Sequence, residues 1–257
     1  MSNIHQTAVV HAEAKVGEGC RIGPYCIVGS QVVLGKNCFL HSHVVIDGRT
    51  NLGDDNEVFP FCSIGLKTQD LKWDGGRTYT EIGDRNTFRE YVTIHSATSE
   101  GGVTRVGHRN HVLAYSHIAH DVQVGNDVIM SNSATLGGHV VVQDRAVIGG
   151  LAAVHQFCRI GHLSIIGGCS KVVQDVAPFT LVDGNPAVTR TLNKVGMERR
   201  GLTEESRGIL KKAFRILFRQ DLTLSSAVEK AGNEMSDCSE LSELLEFIRS
   251  SQRGICR

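Results

Sequence analysis

The sequence predicts an all-β chain, a parallel β-helix of hexapeptide turns, closed by a small α-helical domain. Three observations carry this. Between Ile118 and Phe157, aliphatic residues recur at every sixth position: Ile118, Val124, Met130, Leu136, Val142, Ile148 and Val154. A helix repeats near 3.6 residues and a simple strand near 2, so a strict six belongs to neither; it marks short strands stacked as the walls of a coil. The period then gives way after Val172, and from Thr203 onward apolar residues fall at helical spacing.

The hexads begin at Ile4 and run through Val10, Val16, Ile22, Val28, Leu34, Leu40, Ile46, Leu52, Val58 and Ile64. Glycine often follows the aliphatic residue, as at Gly17, Gly23, Gly29, Gly35 and Gly53. The expectation is that these glycines supply corner backbone angles that other residues resist. Two stretches break the pattern, near 66–80 and 96–105, yet Ile82, Phe88, Ile94, Val106 and Val112 remain multiples of six from Ile4. Both therefore read as loops projecting from an unbroken prism, where binding residues are commonly carried. Hexads resume at Val106 and end near Val172, and Pro178 and Pro186 mark the exit. This gives a β-helix over 1–190 and a helical domain over 191–257.

In the helical domain, Thr203 is the expected N-cap of a helix whose buried stripe is Ile209, Leu210, Ala213, Phe214, Leu217 and Phe218. Helices are also expected from Thr223 to Lys230 and from Ser239 to Arg249, the last ending near Gly254.

Composition excludes several classes. The 257 residues carry 27 basic and 27 acidic side chains, a balance that argues against a nucleic-acid binder. No apolar run approaches the roughly 18 residues of a membrane span, and the N-terminus lacks a signal-peptide core, so a cytoplasmic protein is expected. Of the eight cysteines, Cys20, Cys26, Cys38, Cys62 and Cys158 share the fifth place of a hexad, held elsewhere by small residues such as Ala134 and Ala146. They read as small core residues rather than ligands or disulfide partners.

Histidines concentrate in the middle coils: His95, His117, His120, His139 and His155. His120, Gly138 and Gln156 are spaced by 18, three hexads, and should stack along one edge at about 4.8 Å per rung. Asp121 directly follows His120, so the carboxylate reaches the imidazole only if a corner falls there; such a dyad suits a general base, with Gly138 N–H offered to an oxyanion.

The runs SIG-x3-QDLK (63–72), EIGDRN-x2-RE-x-VTIH (81–95), SHIAHD-x2-VGN (116–126), AVHQF (153–157) and GGCS (167–170) resemble those of the UDP-N-acetylglucosamine O-acyltransferases, and the resemblance spans the whole chain. That family transfers a 3-hydroxyacyl chain from acyl carrier protein to the 3-OH of the UDP-sugar, the first step of lipid A biosynthesis. The resemblance implies left-handed winding, a homotrimer with sites between subunits, and no metal or organic cofactor. It implies His120 as base, Asp121 as its partner and Gly138 as oxyanion donor. Substrate-contacting positions are implied at Gln69, Asp70, Lys72, His95, His117, His139, His155 and Gln156. Asn193 and Arg199 would lie near the nucleotide phosphates, and Gly168 would limit acyl-chain length. Lys211, Lys212, Arg215 and Arg219, with Arg199 and Arg200, form a basic stretch suited to an acidic carrier.

The chain departs from the family's pattern at Ser96-Ala97, where Arg-Gly is common, and at Val195, where glutamate is common. These positions leave open a 3-amino sugar as acceptor. Other readings of the same fold are a zinc lyase resembling γ-carbonic anhydrase, an acetyl-CoA-dependent hexapeptide transferase, and a purely structural β-helix.

Overall fold

The structure, a computed structural model, describes residues 2–236 and 238–257. Short strands, most of two residues, pair into three sheets of eleven, nine and eight strands, parallel except for the closing hairpin, as the faces of a left-handed triangular prism. Asn3 pairs with Arg21 and Arg21 with Phe39, so each coil is eighteen residues and each hexad contributes one wall. The aliphatic hexad residue of every wall points inward. Ile46, Ile64, Ile94, Ile118 and Leu136 stack at 0% exposure beneath one face alone.

Both interruptions are loops that preserve register. Glu57 pairs with Thr87, thirty residues on, and Thr87 with His111, twenty-four on, before the spacing of eighteen returns at Ile129. The first loop leaves after Leu66 and rejoins at Tyr79; the second leaves after His95 and rejoins at Val103.

The glycines do a different job from the one expected. The left-handed backbone angles fall two residues later, on non-glycine residues: Tyr25 (φ 60°), Asn37 (55°), His43 (59°), Phe61 (65°) and their counterparts. The glycines instead allow one corner to lie against the next. A Cβ on Gly17 would stand 2.3 Å from Gly35 O, and one on Gly35 2.5 Å from the Gly53 carbonyl carbon. Steric room between coils selects glycine there.

The five fifth-place cysteines are buried and free, as small core residues. The Cys38 thiol donates to Gly53 O (3.1 Å) and that of Cys62 to Arg89 O (2.9 Å), and burial pushes both up to about 12. Below Cys38 the same column holds three buried asparagines that sequence reading passed over. Asn56 Oδ1 accepts the backbone and side-chain N–H of Asn86 (2.9 and 3.0 Å), and Asn86 Oδ1 accepts the same pair from Asn110. Each amide thereby ties one coil to the next.

After Val172 the coil ends in an antiparallel hairpin, Thr180–Gly184 with Ala187–Leu192. A short helix that sequence reading missed follows, α1 (Lys194–Arg199), capped by Asn193. Then come α2 (Glu204–Arg219) and α3 (Leu224–Glu234), whose caps Thr203 and Thr223 accept the N–H of Ser206 and Ser226, and α4 (Ser239–Arg249). The last helix stops at Arg249, short of Gly254. Residues beyond it return to the last coil, where Asp175 accepts Cys256 N–H and donates to Gly254 O. Gly254 (φ 74°) belongs to that return rather than to a helix end. Leu163, Ala177, Phe179 and Leu192 share one core with Phe214, Leu217 and Leu244, so the helices are packed onto the prism. No helix among the described residues is long and apolar enough to cross a membrane.

Replacing Asn86 by Ala keeps its backbone N–H but removes its side-chain bonds to Asn56 Oδ1 and Gly83 O, together with the acceptor serving Asn110. Leaving buried amides unpaired should destabilise the protein by about 2–4 kcal/mol, read as a lowered midpoint in chemical denaturation.

Candidate active site

His120 sits at the corner between the nine-stranded and eight-stranded sheets. Ile118 points inward, the chain turns, and Asp121 takes φ 60°. That turn brings adjacent side chains to one side: His120 Nδ1 lies 2.9 Å from Asp121 Oδ2. With Nδ1–H donating to the carboxylate, Nε2 keeps its lone pair for an incoming proton. The dyad is half-buried, each side chain 14% exposed.

The coil beneath supplies the imidazole's seat. His139 N–H donates to His120 O (3.1 Å) and Phe157 N–H to Gly138 O (3.0 Å), so His120, Gly138 and Gln156 stack as the spacing requires. A Cβ on Gly138 would stand 2.5 Å from both Cε1 and Nε2 of His120. Only glycine leaves this space, and among the described residues no acceptor takes its own N–H. The His139 ring meets His120 edge-on at 5.2 Å and is stacked on Phe157 at 4.6 Å. Phe157 went unnoticed as a site residue; its place directly after Gln156 was the signal.

The two loops close over this corner. Asp70 Oδ2 reaches to 3.9 Å from His120 Nε2, and Asp70 Oδ1 accepts Lys72 N–H. Lys72 and His139 line one recess of about 280 Å³ with Asp70, Asp74, Thr98, Ser99 and Glu100. Gln69 is exposed on the same loop. From the second loop, Thr98 N–H donates to Asp121 Oδ2 (3.1 Å). His155 and Gln156 are exposed one coil on, and Arg253 approaches His155 Nδ1 at 3.4 Å. His120, Asp121 and His139 also offer three donor atoms within 4.8 Å of one another, a set able to hold a metal ion. Its carboxylate is already engaged by Thr98 and His120.

Other expected site residues are not brought to His120 within one chain. Gly168 lies between Ile166 and Lys171, at the corner joining the eleven- and nine-stranded sheets. Asn193 lies at the third corner, where its amide is spent on the fold. It donates to Leu163 O (2.9 Å), accepts Gly196 N–H (2.9 Å), and is 5% exposed. Arg199 is exposed on α1, as is Val195.

His95 and His117 pack edge to face at 5.2 Å on the strands beside the dyad. Burial pushes the His117 imidazole down to about 4, helped by repulsion from His95 and His120, and burial lowers His95 as well. Both are neutral near pH 7. His117 Nδ1 is bonded to Thr93 Oγ1 (2.7 Å), whereas His95 Nδ1 is buried with no partner among the described residues. An unfolded chain protonates His117 near pH 6.5 while the folded chain refuses the proton until about pH 4, so stability falls as pH drops through that window. His117→Asn should therefore lose less stability than the wild type between about pH 7 and about pH 5, measured by chemical denaturation at both values.

Two family models match the chain. The second domain of UDP-N-acetylglucosamine O-acyltransferases covers residues 175–256, and the bacterial transferase hexapeptide model covers residues 2–48. The acyl-[acyl-carrier-protein]--UDP-N-acetylglucosamine O-acyltransferase of Thermodesulfovibrio yellowstonii is 50% identical over 258 residues, covering 100% of both chains. Among solved structures, the UDP-N-acetylglucosamine O-acyltransferase of Moraxella catarrhalis aligns with a TM-score of 0.95 at 40% identity, covering 99% of each chain. The UDP-N-acetylglucosamine acyltransferase of Bacteroides fragilis aligns with 0.97 at 35% identity, covering 99% of this chain and 100% of that one. With the hexad prism, the helical tail and full-length identity in agreement, this chain belongs to the UDP-N-acetylglucosamine O-acyltransferase family.

Proposed function

We propose that the protein transfers a 3-hydroxyacyl chain from acyl carrier protein to the 3-hydroxyl of UDP-N-acetylglucosamine, opening lipid A biosynthesis in the cytoplasm. The observation that carries this reading is the His120–Asp121 dyad seated on Gly138, in a chain 50% identical over its full length to a named enzyme of that activity.

In the proposed step, His120 Nε2 removes the proton from the sugar 3-OH, and the oxygen attacks the thioester carbonyl carbon. The carbonyl electron pair moves onto oxygen, which Gly138 N–H stabilises. The tetrahedral intermediate collapses, the C–S bond breaks, and the carrier sulfur leaves with the proton returned by His120. Asp121 holds the imidazole in one tautomer and stabilises the imidazolium that forms between these events. Neither a metal nor an organic cofactor enters the step.

The scattered residues support assembly as a homotrimer. Gly168 and Asn193 stand at corners other than that of His120, and Arg199 on α1, so one substrate could touch them all only if a neighbouring prism presents its own corner. Arg199 would then pair with the pyrophosphate. Asn193 would act there through the capped N-terminus of α1, since both ends of its amide are used. His95 supports a sugar-facing role: its buried Nδ1 lacks a partner, a state costing about 1–3 kcal/mol that a substrate hydroxyl would relieve. For the carrier, Lys211, Lys212 and Arg215 are exposed on α2. Arg219 is held by the carbonyls of Thr189 (3.2 Å) and Arg190 (2.6 Å) and serves the fold instead.

The test is transfer of a radiolabelled 3-hydroxyacyl chain from acyl carrier protein to UDP-N-acetylglucosamine, wild type beside His120→Ala. Removing the base should lower kcat by about 10²–10⁴ with assembly unchanged. Transfer only to a 3-amino sugar nucleotide would move the acceptor. No transfer to either, with near-stoichiometric zinc in the purified protein, would instead favour the lyase reading on His120, Asp121 and His139.

A further inference from the structure

We propose that Thr104 is a positioning residue for the reaction, holding Asp121 in the turn that lets its carboxylate meet His120; the inference rests on the dyad reading above. At most corners, the residue with φ near +60° donates its N–H to a backbone carbonyl of the preceding coil; Tyr25 donates instead to Thr7 Oγ1 (3.1 Å) in the first coil. Tyr115 donates to Glu90 O (2.9 Å), Asp127 to His108 O (3.0 Å), His139 to His120 O (3.1 Å) and Phe157 to Gly138 O (3.0 Å).

Asp121 has the same φ, 60°, but its corner is not ordinary. In the preceding coil the chain abandons the prism after His95 to form the second loop, and rejoins only at Val103. The carbonyl that would serve Asp121 has left with the loop. Thr104 Oγ1 replaces it, accepting Asp121 N–H at 2.8 Å. Thr104 lies two residues before Val106 in one extended strand, so both point inward, and Thr104 is 0% exposed. It continues a column of buried threonines in register, Thr50, Thr80 and Thr104. A hydroxyl buried where the prism elsewhere stacks aliphatic groups is costly unless bonded, and here its bond goes to the one residue that orients the base.

The loop that removes the carbonyl supplies the other half of the arrangement. Thr98 N–H holds Asp121 Oδ2, so the backbone of Asp121 is pinned from the strand and its carboxylate from the loop. The buried hydroxyls of Thr98 and Thr68 are 3.0 Å apart, and Thr68 Oγ1 accepts Asp70 N–H (3.0 Å). Asp70, which faces His120 Nε2, and Asp121, which holds Nδ1, are thus linked through two threonines. The hydroxyl of Thr104 fixes the end of that linkage to the prism.

The experiment compares Thr104→Val, which keeps the shape without the hydroxyl, with Thr104→Ser, which keeps the hydroxyl, in the acyl-transfer assay. Each change is also made in an Asp121→Asn background. We expect Thr104→Val to lower kcat about ten- to a hundredfold while KM stays within about twofold, and Thr104→Ser to restore activity. In the Asp121→Asn background, Thr104→Val should add no further loss. A fully active Thr104→Val beside an impaired Asp121→Asn overturns the proposal and leaves the dyad standing. Equal losses from Thr104→Val in both backgrounds, or a loss tracking a lowered melting temperature, assign the hydroxyl to the fold alone and also overturn it. An unimpaired Asp121→Asn removes the dyad reading itself, and the proposal with it. Should Thr104→Val not yield folded protein, Thr104→Ala, with nothing to clash, carries the same comparisons.

Discussion

Every feature of this molecule depends on one constraint: each coil must leave a face in the register in which it entered. Side chains point inward or outward by position within six residues, and most of the strands are only two residues long. A single inserted residue would turn an aliphatic wall outward along every following coil. The chain tolerates interruption only in steps of the repeat, which is why Glu57 meets Thr87 and Thr87 meets His111 with Phe88 and Val112 still buried. The corners inherit the same strictness. Coils stack closely enough that a Cβ on Gly125 would stand 2.3 Å from the Asp144 carboxylate, and one on Gly138 would occupy the place of the His120 ring. The seat of the His120 ring is thus a use of the contact that holds the prism together.

The period made the inward residues legible, and it carried the argument as far as the His120–Gly138–Gln156 column. A carboxylate adjacent to its histidine demanded a corner, and the corner is there. Helix starts were readable because Thr203 and Thr223 cap by a local rule. What stayed hidden depended on contacts between coils. The glycines looked like sources of unusual backbone angles, but angle and crowding separate only when the next coil is in place: Tyr25 and Phe61 accept the left-handed region two residues away. Asn56, Asn86 and Asn110 gain a role only when their amides are stacked coil on coil. The range Ser239–Arg249 was readable, but a one-dimensional pattern could not show that Gly254 belongs to the return onto the last coil rather than to a helix end, because it is held by Asp175, far off in sequence.

The placement of the polar residues separates two kinds of work. Around His120, burial keeps His95 and His117 neutral, so they add no positive charge beside its ring. Apart from the Asp121 carboxylate at the corner, the charge bordering the recess is carried by the loops, in Asp70, Lys72, Asp74 and Glu100. The phosphate-facing arginine of the proposed assembly stands on α1, a helix that exists because Asn193 spends its amide on capping and on Leu163. The Asn193 amide, matched to a binding position by sequence, is spent on the fold.

Loops on a β-helix carry a structural debt that loops on most folds do not. The backbone of each coil is bonded to the coils on both sides, so a chain that leaves the prism deprives its neighbour of partners at that corner. A buried N–H left unpaired there would cost about 1–3 kcal/mol and would loosen the turn next to the departure. If the loop bears substrate-binding groups, that turn is also where the base must be held. The replacement partner has to come from inside, because the outer side is reserved for substrate. An inward polar side chain on the strand where the loop rejoins meets this need, and Thr104 is that residue. Of the three inward threonines in this column, Thr50 bonds Asp47 O and only Thr104 reaches the turn that carries the dyad.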